Sequence, residues 1–281
     1  MTADMRSAAA LVANARMYAV NPDVAALWER LFASIAEDAD VPLSVIRHSP
    51  PQPLYDLWRR TDVGCAFMCG YPWSIWAEDD GRRPRLLAAP QPSAGRYAGR
   101  PRYCTDIVVR DDSRYADVDA LRGTRFAYTI EHSQSGWQAP RTFFAGRALA
   151  HGGRWFGAAI GPLDTPRAVA DAVIEGRVDA GPLDSWWHDL LRRHEPATAA
   201  QLRTLASTPM TAIPPLICAA ATPATLRERL TAALARVGTR PELRDLRDAL
   251  LIRGFAHVGL ADYEPLAQHA RDTDALGYRR L

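Results

Sequence analysis

Short apolar runs alternate with amphipathic stretches along this chain, and that alternation restricts its fold more than any other feature. Residues 22–39 place Val24, Leu27, Trp28, Leu31, Phe32 and Ile35 at helical spacing, the pattern of a helix with one buried face. Residues 43–46 and 62–69 are short apolar runs instead, the second ending at Gly70, and read as buried strands. The same reasoning predicts strands over 106–110, 125–130, 178–183 and 215–220. It predicts helices over 165–175, closed by Gly176, and over 223–236, opened near Thr222. The stretch 88–102, with Pro90, Pro92, Gly95, Gly99 and Pro101, reads as loop. Strands and helices in this succession predict an α/β architecture, with no internal repeat or low-complexity tract.

Composition narrows the chemistry. With 281 residues, 48% of them hydrophobic, the chain has material for a large core. Its 34 basic and 32 acidic residues leave a formal charge of only +2, so no general field draws nucleic acid or an anionic membrane. Every basic residue is Arg. The absence of Lys removes a phosphate-binding Walker lysine, a Schiff-base lysine for pyridoxal phosphate and a Ser-Lys nucleophile pair. Cys65 and Cys69 lie on one predicted strand, about 13 Å apart at about 3.3 Å per residue, too far for a disulfide and suited to core packing. Neither these with Cys104 and Cys218, nor His188 with His194, have metal-site spacing, so no metal and no cofactor is expected. The apolar run 8–13 follows a single Arg and precedes no clear cleavage signal, which makes it a poor export signal. No stretch approaches the roughly 20 apolar residues that cross a bilayer.

The central chemical feature is the stretch 128–137. A predicted strand runs into a turn holding His132, Ser133, Gln134, Ser135 and Gly136, and helical sequence follows from Trp137. Backbone N–H groups at such a helix start, with hydroxyl donors beside them, favour an oxygen-rich anion without a cationic side chain. An ordinary serine cap has the same local sequence, and this segment alone leaves both readings open.

Several stretches together resemble the phosphate, phosphite and phosphonate substrate-binding proteins of ABC transporters. They are 103–113, 118–123, the serine turn followed by Pro140-Arg141, 173–185, 207–216, and Gly254-Phe255 with 262–266. The resemblance covers about residues 15–266. It implies a type II periplasmic-binding-protein fold: two α/β lobes, joined by two crossing hinge segments, with ligand in the cleft. Residues 1–103 and 206–281 would form the first lobe and 104–205 the second, with hinges near 103–106 and 205–209.

On the same pattern Ser133, Ser135 and Gly136 match the oxyanion turn, where Gln134 replaces the usual small hydroxyl residue, and His132 and Trp137 flank it. Tyr71 matches a position lining the cleft, or is a packed tyrosine at a strand end. Tyr18 would enter from the first strand end. Asp184 matches an aspartate facing the ligand, served by a ligand cation or an intramolecular donor. Trp186 and Trp187 beside it either shape the cleft or pack the lobe. Relatives commonly carry a histidine where this chain has Asp164-Thr165-Pro166-Arg167, so Thr165 or Arg167 would replace an anion donor only in part.

The function so implied is reversible capture of a small oxyanion-containing molecule by lobe closure, with an ABC permease as partner and a periplasmic location. The weak export signal keeps a second class open, a cytoplasmic enzyme or ligand sensor on the same fold. Asp184, Glu131 or His132 would then be its acid or base, although no catalytic triad is recognisable.

Overall fold

The structure is a computed structural model and describes residues 10–76 and 81–281. The strands are β1 (Leu11–Asn14), β2 (Leu43–Val45), β3 (Val63–Phe67), β4 (Arg85–Pro92), β5 (Arg102–Tyr103), β6 (Thr105–Arg110), β7 (Arg125–Ala127), β8 (Ala158–Ile160), β9 (Ala180–Asp184), β10 (Leu202–Ser207), β11 (Thr211–Ala212), β12 (Leu216–Cys218) and β13 (Ile252–Ala256). The helices are α1 (Pro22–Ala39), α2 (Leu54–Trp58), α3 (Gly70–Ser74), α4 (Ala139–Ala150), α5 (Pro166–Ile174), α6 (Ser185–His194), α7 (Pro196–Ala199), α8 (Ala224–Arg236), α9 (Arg244–Ala249) and α10 (Leu260–Ala275).

Helix α1 forms where its periodicity predicts, burying Val24, Trp28, Leu31, Phe32 and Ile35. The Asn21 side chain accepts the Val24 N–H at 2.9 Å, and Pro22 fills the first turn, where a missing N–H costs nothing. Among the described residues the strands form two mixed sheets. A six-stranded sheet runs β13-β4-β12-β3-β1-β2, with β1, β2 and β3 parallel; a five-stranded sheet runs β10-β6-β9-β7-β8, with β7 parallel to both β8 and β9. The chain leaves the first sheet through β5 and returns through β11, and these two crossing strands pair antiparallel, Tyr103 opposite Thr211. This is the α/β, two-lobe, type II binding-protein fold.

The stretch 88–102 departs from its loop assignment. Most of its first half is β4, and β5 lies at its end. Prolines are tolerated in β4 because β12 pairs with it only as far as Ala88. Beyond that point β4 has one neighbour, β13, and its open side needs no N–H donor. Within the apolar run 8–13, residues 8 and 9 lie outside the described residues, and from Leu11 onward the run is β1, hydrogen-bonded between β2 and β3.

The crossings are pinned by ions. Asp106 of β6 is fully buried and accepts from Arg96 at 3.1 Å, His188 Nδ1 at 2.9 Å and Ser207 Oγ at 2.7 Å. Arg96, from the turn after β4, also reaches Asp189 at 2.7 Å and the Ser185 carbonyl at 2.6 Å. The chain end touches both halves. Tyr263 and Leu266 of α10 pack on Gly70, while buried Tyr278 joins the core under the five-stranded sheet. Buried Arg141 of α4 holds that end through the Tyr278 carbonyl and Asp274.

Candidate ligand-binding site

A cleft of about 720 Å³ lies between the sheets. One wall is built from residues following β1, β2 and β3, the other from residues following β7, β8 and β9. Both groups of parallel strands therefore present their carboxyl ends to the same space, the usual place for a ligand in an open α/β sheet. The cleft admits Ser133, Ser135, Gly136, His132 and Asp184 from the sequence-derived set.

The serine turn is a helix entrance with unusual spacing. Ser133 Oγ accepts the Gly136 N–H at 2.9 Å, and a wide turn over Gln134–Gln138 precedes α4. Pro140 lacks the N–H that would continue the wide hydrogen-bond pattern onto Ser135. The Ser135 carbonyl accepts the Thr105 hydroxyl instead, at 3.1 Å. Three of the turn's amides are committed, Ser133 to the Ile130 carbonyl at 3.0 Å, Gly136 to the Ser133 hydroxyl and Gln134 to the sulfur of Cys69 at 3.2 Å. The hydroxyls carry more of the donor capacity than the sequence suggested. Thr129, just beyond β7, is decisive: its hydroxyl is buried, has no hydrogen-bond partner among the described residues, and lines the cleft against Gly136. A buried hydroxyl without a partner is costly unless a ligand supplies one.

Asp184 sits at the floor of the cleft with its acceptors used. One carboxylate oxygen caps α6 by accepting the Trp186 and Trp187 N–H groups at 2.9 and 3.0 Å; the other accepts the Tyr18 hydroxyl at 2.9 Å. Tyr18 is fully buried and stands behind the cleft rather than in its lining. Burial pushes the Asp184 carboxyl up to about 7, against the pull of these three donors. A carboxyl raised on folding contributes stability below its unfolded value near about 4 and loses it as the pH rises through about 7. Asp184→Asn should therefore show its largest stability deficit at pH 4.5, and denaturant titration should find that deficit shrinking at pH 7.5. An offset independent of pH would mean that Asp184 is ionised throughout.

The remaining candidates are dispersed. Gln134 and Trp137 are buried outside the lining, Trp137 edge-on to Tyr128 at 4.7 Å. Tyr71, half-buried on α3, also lies outside it. His132 is exposed at the cleft, edge-on to Tyr55 at 5.7 Å. Trp186 is packed between Tyr18 and Trp28, whereas Trp187 reaches the cleft. Thr165 caps α5, and Arg167 donates to the Val20 carbonyl at 3.0 Å and Glu195 at 2.5 Å, so both are engaged within the chain. Sequence reasoning missed Thr129, Cys69, Arg16 and Arg47 in the lining. Only Thr129 had a local signal, its place near the end of the strand predicted over 125–130, and that strand stops at Ala127, which leaves Thr129 in the approach to the serine turn. Among the described residues no cluster of side chains suits a metal, and no helix is long and apolar enough to cross a membrane.

The family described as the periplasmic substrate-binding proteins of phosphonate ABC transporters matches residues 19–263. The chain belongs to this family. Its fold is shared with the binding-protein component of an ABC phosphonate transporter from Pseudomonas aeruginosa, at a TM-score of 0.78 and 16% identity, over 95% of this chain and 88% of that one. PhnD1 from Prochlorococcus marinus, solved in complex with methylphosphonate, is similar at 0.76 and 16% identity, over 94% and 98% of the two chains. A Xanthomonas citri protein solved with ATP aligns at 0.64 and 16% identity, over 95% and 98%. No curated protein sequence matches the chain. Family membership favours a substrate-binding protein over the enzyme or sensor alternative, and the proteins of this family are periplasmic and work with an ABC transporter.

Proposed function

We propose that this substrate-binding protein captures a phosphonate-class oxyanion at the turn formed by Thr129, Ser133, Ser135 and Gly136. The observation carrying this reading is the buried Thr129 hydroxyl, which lines the cleft beside two serines and finds no partner among the described residues. Asp184 and Tyr18 hold the cleft floor rather than the ligand, because their polar atoms already bond each other and α6. Residues 1–103 with 206–281, and 104–205, act as lobes that close by bending at the paired crossings, as a few hinge residues allow. The protein works outside the inner membrane and hands its ligand to a permease.

Calorimetry and thermal shift with methylphosphonate, phosphite, phosphate, methylsulfonate and acetate test this reading. A phosphonate at about 100 times its Kd should add about 2.7 kcal/mol to stability. The compound should be recovered unchanged, with a smaller radius of gyration for the complex. Failure of every phosphorus oxyanion to bind, or conversion of the compound to a product, would overturn it.

A further inference from the structure

We propose that the cleft selects a two-headed anion, with a phosphonate at the serine turn and a second anionic group, a carboxylate or another phosphoryl group, held by Arg16 and Arg47 on the opposite wall. This rests on the phosphonate reading above and narrows the class of ligand.

Arg16 follows β1 and Arg47 follows β2, which are parallel neighbours. Buried Asn14 ties the two loops together: its side-chain oxygen accepts the Arg16 N–H at 2.9 Å and its amide donates to the Ile46 carbonyl at 2.9 Å. Both arginines line the cleft. The Arg16 guanidinium is half-buried, and its one hydrogen bond among the described residues goes to the Gln52 carbonyl, at 2.5 Å. Burial lowers its proton affinity, and Asp164 across the cleft offsets this without reaching ion-pair distance. Arg47 is exposed and has neither hydrogen bond nor ion pair among the described residues. A partly desolvated guanidinium with no carboxylate on it, beside a second unpaired one, is a site that a planar or tetrahedral anion satisfies by paired N–H bonds.

The space fits this reading. A cleft of about 720 Å³ is of the size that encloses extended small molecules, roughly 300–1,000 Å³, so a ligand consisting only of a methylphosphonate at the serine turn leaves the arginine wall uncovered. An ammonium head is served less well. Asp184 is saturated by three donors, and the remaining acids of the lining, Glu29 and Asp164, are exposed.

The test compares methylphosphonate, aminoethylphosphonate, phosphonoacetate, phosphonopropionate and phosphonobutyrate by calorimetry, on wild type, Arg47→Gln and Arg16→Gln. At least one phosphonocarboxylate should bind about tenfold or more tightly than methylphosphonate, about 1.4 kcal/mol. Each variant should cut that ratio at least severalfold, and rising salt should reduce it. Methylphosphonate binding with no phosphonocarboxylate advantage, an advantage that survives both substitutions, or tightest binding of aminoethylphosphonate would overturn the inference while leaving the phosphonate reading standing. Absence of binding by all five compounds would overturn both.

Discussion

Gly136→Ala raises the dissociation constant for methylphosphonate at least about hundredfold, about 2.7 kcal/mol. A β-carbon at this position would stand 1.8 Å from Thr129 Oγ1, 2.9 Å from Thr129 Cβ and 3.0 Å from Ser133 Oγ. No real contact is that short, so the new methyl must displace the hydroxyl with the unfilled bond and the serine that caps the turn. Both hydroxyls are donors to the proposed oxyanion, and charge-assisted bonds contribute about 1.5 to 3 kcal/mol each. Overpacking should also lower stability by about 1 to 3 kcal/mol. Calorimetry gives the first effect and denaturant titration the second. Pairing Gly136→Ala with Thr129→Gly removes the clashing side chain and should recover stability but not affinity, which separates a bent turn from a lost donor. Affinity within a few fold of wild type for Gly136→Ala would place the ligand elsewhere in the cleft.

Asp106→Ala destabilises the folded protein by about 3 to 5 kcal/mol, as expected when one partner leaves a buried ionic network. Arg96 would keep Asp189, whereas His188, fully buried, would lose the bond at Nδ1 while its Nε2 has no partner among the described residues. Ser207, at the return crossing, would lose its acceptor as well. Burial by itself would raise the Asp106 carboxyl, but the His188 bond, the Arg96 cation and the Ser207 hydroxyl outweigh it and hold the group down at about 2. The stability it contributes is therefore complete above about pH 4 and lost as the pH falls through about 2. A fall in Tm on the order of 10 °C is expected at neutral pH, from the loss of roughly 2 to 4 °C per kcal/mol for a chain of this size class. A fall below about 3 °C would mean that the network is replaced by water at little cost. Because Arg96 comes from the turn after β4 while Asp106 and Asp189 belong to β6 and α6, the same substitution should also loosen the relative placement of the lobes, visible as a broader scattering envelope without ligand.

Much of the fold is legible in local order. Helix α1 keeps the spacing of its six apolar residues, Asn21-Pro22 announces its start, and the runs around β3, β6 and β9 appear as buried strands within one or two residues of their ends. The serine turn is equally local, since a helix entrance and its cap are made by neighbours in the chain. Strand β4 was hidden because its prolines signal a loop unless the partner on the open side is known to be missing. The roles of Asp184 and Tyr18 were hidden because they meet across 166 residues; alone, each looks like a ligand contact, and together they satisfy one another.

Periodicity, turn chemistry and motif order thus determined the fold class, the family and the capped helix entrance at Ser133, because each depends on residues a few positions apart. Which polar groups remain unused was decided only in three dimensions. The Thr129 hydroxyl and the Arg47 guanidinium are open because none of the described residues folded against them offers a partner, while Asp184 and Arg167 are closed because distant chain does. A donor's availability is set by what long-range packing brings within about 3 Å of it, and nearby sequence does not encode that.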